Sequence, residues 1–159
     1  CFQDPFGNEW GVMRLDKTRL AKSGNSRNPR NVSLVGRRGD VKSGDEIFEM
    51  LLNADIAKQV ITCGGVEKLE GQQNVEVTRH DELVTDHAYS VLRAVELPTG
   101  ERLLQLRNPW GRSKEYTGDW SDSSALWEER PGIAARLDHK KEYDGTFWMA
   151  FVDWADLFT

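Results

Sequence analysis

The chain has 159 residues, enough for a single domain with a buried core, and its acidic residues outnumber its basic ones for a net charge of -5, which argues against a nucleic-acid wrapper. No apolar run approaches the length of a membrane span, and the start lacks the basic flank and apolar stretch of a signal peptide. Two cysteines, Cys1 and Cys63, are few for a secreted chain of this size, so a reducing, cytoplasmic setting is expected, and a start at Cys1 rather than methionine points to a piece of a longer protein.

Residues 1–43 read as an irregular N-terminal segment, with a polar stretch at 22–31 and a glycine-flanked loop at 36–39. Between these loops, Val32, Leu34 and Val35 could form a short strand. Ser43-Gly44-Asp45-Glu46 has the spacing of a capping box. Ile47, Phe48, Leu51, Leu52 and Ile56 follow as an apolar face, predicting a helix from Gly44 to Lys58. Gln59–Cys63 is expected to be a short buried strand, with Cys63 a small buried thiol rather than a reactive one. Residues 66–82 form a polar connection with a possible strand at Val75–Thr78. Ala88–Leu97 and Arg102–Arg107 read as two strands of a hairpin, joined through Pro98 and Gly100. A loop over Asn108–Ser124 leads to a partly helical stretch, Ala125–Leu137, interrupted at Pro131-Gly132. Thr146–Val152 is an apolar strand, and Asp153 is placed to cap a last short helix. Five of the six tryptophans lie from Trp110 onward, which predicts a dense C-terminal half. The fold class is α+β: a mainly antiparallel sheet with a few packed helices, its domain running over residues 44–159.

His87 opens one strand of the expected hairpin and Asn108 ends the next. An antiparallel pair brings the start of one strand beside the end of its neighbour, so these side chains can meet. An imidazole held by an amide oxygen is the arrangement that activates a thiol nucleophile. Pro109 biases Asn108 toward extended backbone, and Trp110 could shield the His–Asn hydrogen bond from water. A lone histidine at a strand start is more often structural than catalytic; the pairing is what favours catalysis.

The segments HAYSV, RNPWG, EYTGDWSD and DGTFWMAF, met in that order between residues 82 and 151, resemble the calpain family of calcium-dependent cysteine endopeptidases. The match corresponds to the second subdomain of a two-part, papain-like protease core. The resemblance implies that His87 is the general base and acid, Asn108 its orienter and Trp110 the tryptophan beside the cleft. It implies a nucleophilic cysteine and an oxyanion donor on a first subdomain whose glutamine–glycine and cysteine–tryptophan signatures do not occur here. The chain alone is then expected to hydrolyse no peptide, and its partners are that first subdomain and protein substrates.

Glu115 and Asp122 in the loop after RNPWG, with Glu142 and Asp144 before TFWM, form two acid-rich segments. Calcium takes roughly six to eight oxygens, several of them carboxylate. By composition alone such loops are usually just solvated. The resemblance implies calcium, Ca2+, held by carboxylates of Glu115, Asp122 and Asp144 and the backbone oxygen of Glu142. Thr146 departs from the family pattern, which has a glutamate there. Two other readings compete: a calpain-like scaffold or regulatory interaction domain without catalysis, and an ordinary papain-like protease, which the TGDWSD and DGTFWM segments argue against.

Overall fold

A computed structural model describes residues 14–15, 33–35, 41–64, 76–111 and 114–158. The polar stretch 22–31, the loop 36–39, and Cys1, Val32, Gly65 and Val75 lie outside the described residues. Three short strands come first: β1 (Arg14–Leu15), β2 (Ser33–Val35) and β3 (Val41–Ser43), antiparallel in the order β1-β2-β3.

Helix α1 (Gly44–Ile56) starts at the expected capping box. The Ser43 hydroxyl accepts from the Glu46 N–H at 3.3 Å, and the Glu46 carboxylate accepts from the Ser43 N–H at 2.6 Å. The helix stops two residues short of the predicted Lys58. Lys58 has turned left-handed (φ 55°), so its N–H reaches Asp55 O while Gln59 N–H reaches Ala54 O, a Schellman closure with lysine in the usual glycine place. Ile56 is 69% exposed, against expectation. Nine residues after Ile47, it stands about half a turn out of phase with it at 3.6 residues per turn, and Ala54 is buried in its stead.

The main sheet orders four antiparallel strands β4-β5-β6-β7: β4 (Ile61–Cys63), β5 (Tyr89–Glu96), β6 (Arg102–Arg107) and β7 (Thr146–Ala150). β5 and β6 form the expected hairpin. Its turn is closed by Leu97 N–H to Glu101 O and Gly100 N–H to Leu97 O, both 2.8 Å, with Gly100 at φ 95°. The register slips between Val91 and Arg93. This bulge at Leu92 reverses the alternation, so Tyr89, Val91 and Ala94 all serve one core.

That core lies between the sheet and helices α1 and α4 (Phe151–Leu157). It takes Leu104 and Leu106 from β6 and Phe147 and Met149 from β7, with Ile47, Phe48, Phe151 and Phe158 from the covering side. The alternate residues Leu103 and Trp148 enter a second core with Trp120, Trp127 and Leu137, under α2 (Leu126–Glu129) and α3 (Pro131–Leu137). Both faces of β6 and β7 are thus covered, and four of the C-terminal tryptophans (Trp120, Trp127, Trp148 and Trp154) are buried. The α+β expectation holds.

Other local boundaries differ from prediction: β4 starts at Ile61 rather than Gln59, with Val60 92% exposed against the expected buried strand. The helical break falls at Arg130 (φ -129°, ψ 62°), and Pro131 begins α3, where its missing N–H is not needed. β7 ends at Ala150 because α4 starts immediately. Asp153 therefore does not cap α4: Ala150 holds that position without a side-chain bond, and Asp153 sits in the first turn, accepting from the Tyr116 hydroxyl at 3.4 Å. Within the described part of the possible strand Val75–Thr78, the only bridge is Thr78 with Val84.

Candidate active site

The last pair of the β6–β7 ladder, Arg107 with Thr146, sets the position of everything around Asn108. Asn108 N–H continues the ladder by donating to Gly145 O at 2.8 Å. The chain then reverses through Asn108-Pro109-Trp110-Gly111, closed by Gly111 N–H to Asn108 O at 3.0 Å, with proline and glycine where a tight turn favours them. Gly145 (φ 91°) packs directly on Gly111: a Cβ there would lie 2.7 Å from the Gly111 carbonyl oxygen and 2.8 Å from its Cα. The turn and the start of β7 fit together only because this position has no side chain.

The Asn108 side chain is fully buried, and each of its polar atoms is engaged. Its Nδ2 donates to Lys114 O at 3.1 Å, and its Oδ1 accepts from the Trp110 N–H at 3.0 Å. These two bonds leave one orientation for the amide. The oxygen also meets His87 Nε2 at 2.9 Å. Since an amide oxygen only accepts, Nε2 carries the proton of this bond, and any proton the imidazole takes up must go to Nδ1.

His87 is 7% exposed and boxed by rings. Tyr89 meets it edge-on at 5.1 Å, and its hydroxyl accepts from the Val84 N–H at 2.8 Å. Trp110 lies tilted across the imidazole at 4.4 Å and is itself 48% exposed, so it forms an outer wall of the dyad. The loop beyond is tied to the segment before His87 by the Lys114–Glu82 ion pair at 2.6 Å and Thr117 N–H to Asp81 O at 3.2 Å.

One contact has no precursor in the sequence reading. Glu76 Oε1 lies 3.1 Å from His87 Nδ1. It comes from the polar connection eleven residues upstream, where neither periodicity nor a motif singles it out. Cys63, by contrast, is not bonded to the imidazole. It pairs in register with Tyr89, and burial pushes its thiol up to about 12. A thiol raised in this way is a poor nucleophile near neutral pH.

The four acidic residues fall beside one another but make no coordination shell. Glu115 is buried. Its carboxylate accepts from the Gly145 N–H at 2.5 Å, and burial holds it above the usual carboxylate range in spite of the N–H groups of Gly145 and Asp144. Asp122 accepts from the Glu142 N–H at 3.3 Å. Burial, then the charge of Glu115, push it up to about 7, with Asp144 and Glu142 adding. Asp144 accepts from the Thr146 N–H at 2.7 Å. Among the described residues no group of three or more His, Cys, Asp or Glu side chains is gathered as metal ligands. The oxygen donors suit calcium in kind, and Glu115, Asp122 and Asp144 each accept from a backbone N–H group through one carboxylate oxygen. A cleft of about 280 Å³ beside them also contains Arg93, whose guanidinium lies 5.1 Å over the Trp148 ring, and Lys140. Among the described residues no helix is long and apolar enough to cross a membrane.

The family model for calpain family cysteine proteases matches residues 26–159. The chain is 40% identical over 90 residues to the Caenorhabditis elegans calpain clp-1, an alignment covering 54% of this chain and 12% of that protein. It is 44% identical over 72 residues to the Arabidopsis thaliana calpain-type cysteine protease DEK1, covering 45% of this chain and 3% of that one. To the mouse calpain-2 catalytic subunit it is 40% identical over 82 residues, covering 49% and 11%. The chain thus spans about an eighth or less of the length of these relatives.

Proposed function

Since the chain belongs to the calpain family of cysteine proteases, we propose that it is the His/Asn half of a cysteine endopeptidase core whose thiol is carried by another part of the protein. The observation that carries this reading is the 2.9 Å contact between His87 Nε2 and Asn108 Oδ1, with the amide orientation set by Trp110 N–H and Lys114 O. Asn108 keeps the ring in the tautomer that leaves Nδ1 as proton acceptor. His87 takes the thiol proton there and later gives it to the leaving amine. The thiolate attacks the peptide carbonyl, and water releases the acyl group in a second step. Trp110 walls the dyad toward the side from which substrate would come. The partners are the cysteine-bearing subdomain and protein substrates, in a cytoplasmic setting.

Calcium is the proposed cofactor. Glu115, Asp122, Asp144 and the Glu142 backbone would hold it, offsetting the burial and the neighbouring carboxylate charge that together raise Asp122. Thr146 supplies no charge, which predicts weak affinity. Calorimetry at millimolar calcium, with the melting temperature followed in parallel, tests this part; no heat and no shift would remove it.

Alone, the chain is expected to turn over no casein or peptide reporter. In the longer protein, His87→Ala is expected to lower kcat by about 10⁴-fold or more. Turnover by the isolated chain that a thiol alkylator blocks would overturn the half-site reading. A longer protein inactive with and without the substitution would favour the scaffold.

A further inference from the structure

Granting His87 and Asn108 as a catalytic pair, one side chain stands in its way. Nε2 is committed to the Asn108 amide, so a thiol can hand its proton only to Nδ1. At Nδ1, 3.1 Å away, sits the carboxylate of Glu76. A carboxylate accepts, and so does the Nδ1 of a neutral ring whose proton is on Nε2. The contact is satisfied only when a proton lies between Nδ1 and the carboxylate, so that Nδ1 is not open to a thiol. Oxygen then stands where the sulfur of an activated cysteine–histidine pair would be.

The placement is built into the fold. Val77 N–H donates to the Thr85 hydroxyl at 3.2 Å, and Thr85 N–H donates to Val77 O at 2.9 Å. Arg79 N–H to Leu83 O (2.8 Å) and the Thr78–Val84 bridge close the same small loop. Thr85 is fully buried, so this pairing anchors residue 77 and sets its neighbour Glu76 against the His87 side of the loop. The Glu76 side chain itself is 45% exposed and is held by the imidazole contact.

We propose that Glu76 is an autoinhibitory counter-ion, occupying the thiolate's seat on His87 until the cysteine-bearing subdomain displaces it. The resting dyad would then be shut.

The chain itself provides the test. At about pH 5, where an ordinary imidazole carries both protons, nitrogen-edited proton spectra of histidine-labelled protein should show two slowly exchanging His87 ring N–H signals. Glu76→Ala should lose the Nδ1 signal to exchange with water and keep the Nε2 signal. At neutral pH, diethyl pyrocarbonate acylates unprotonated ring nitrogens. Peptide mapping should show His87 modified at least about threefold faster in Glu76→Ala, the size expected for a half-exposed ion pair, with His80 as unchanged reference. An unchanged Nδ1 signal or an unchanged His87 rate overturns the proposal. Loss of the Nε2 signal from the unaltered chain would instead sink the His87–Asn108 pairing. An unchanged melting temperature in Glu76→Ala separates either result from misfolding.

Discussion

The His87–Asn108 pair and the acidic loops share one end of the sheet, where β6 stops and β7 starts, yet they are built on opposite electrostatic terms. Around Asn108 every polar atom has a partner, and the bonds are short and shielded. Around Asp122 the carboxylates oppose one another, and burial is borne by holding a proton near neutral pH. The first region is organised before anything binds; the second is arranged so that something positive would relax it. The two regions therefore sit side by side through different side chains and are joined through the backbone of Gly145.

The largest effect should come from the glycine on which both regions hinge. Gly145 N–H holds Glu115, Gly145 O holds Asn108, and a Cβ would strike the Gly111 backbone. Gly145→Ala is expected to cost about 3 kcal/mol, from a left-handed backbone and a clash without a flexible partner. Chemical denaturation measures it. A cost near zero would mean that the turn and β7 can separate, and the two regions would not be coupled.

Asn108→Ala tests the satisfied region alone. It strands His87 Nε2, the Trp110 N–H and Lys114 O in a closed site, for a cost of roughly 2–3 kcal/mol. Trp110, which leans on His87, should change its fluorescence with it. A variant as stable as the parent, with unaltered Trp110 emission, would show the amide to be dispensable as an organiser.

Much of this was legible in the sequence because it rests on local rules. The capping box at Ser43, the hairpin turn at Gly100 and the β6 limits follow from short-range chemistry, and the meeting of His87 with Asn108 follows from hairpin geometry. What could not be read depends on contacts between distant segments or on phase. Glu76 reaches His87 only through the Val77–Thr85 pairing, which no periodicity announces. Ile56 failed because an apolar residue near a helix end was counted on a face it does not share. Asp153 failed because a residue able to cap was taken for the cap, while β7 ran straight into α4. The bulge at Leu92 was invisible because alternation on both sides of it looks regular.

Asp122→Asn addresses the frustrated region. Asp122 is raised from 3.8 to about 7 in the fold, so the unfolded chain ionises first as pH rises. Stability is then lost across the interval from about pH 4 to about pH 7, and the loss is complete above it. Asn carries no such penalty. The variant should match the parent near pH 3 and exceed it at about pH 8, by about 1 kcal/mol once solvent screening at this half-exposed group is allowed for. Millimolar calcium should narrow the gap by stabilising the parent. Parallel pH–stability curves for the two proteins would show that the carboxylates do not interact as described.

The smallest effect concerns Cys63, the cysteine among the described residues. Cys63 pairs with Tyr89, two residues from His87, and its thiol is pushed up to about 12 by burial. At about pH 8 its thiolate fraction should be near 10⁻⁴, against about a quarter for an ordinary cysteine. Alkylation of Cys63 by iodoacetamide, followed by peptide mapping, should therefore be at least about 100-fold slower in the native chain than in denaturant, and His87→Ala should not alter the native rate. Fast labelling that falls when His87 is removed would mean that the imidazole serves this thiol after all. The organised region would then hold its own nucleophile, and the division of labour between this chain and a cysteine-bearing partner would have to be abandoned. Slow labelling insensitive to His87 leaves the ordered pair as a base with no acid of its own, which is the condition a two-part catalytic site requires.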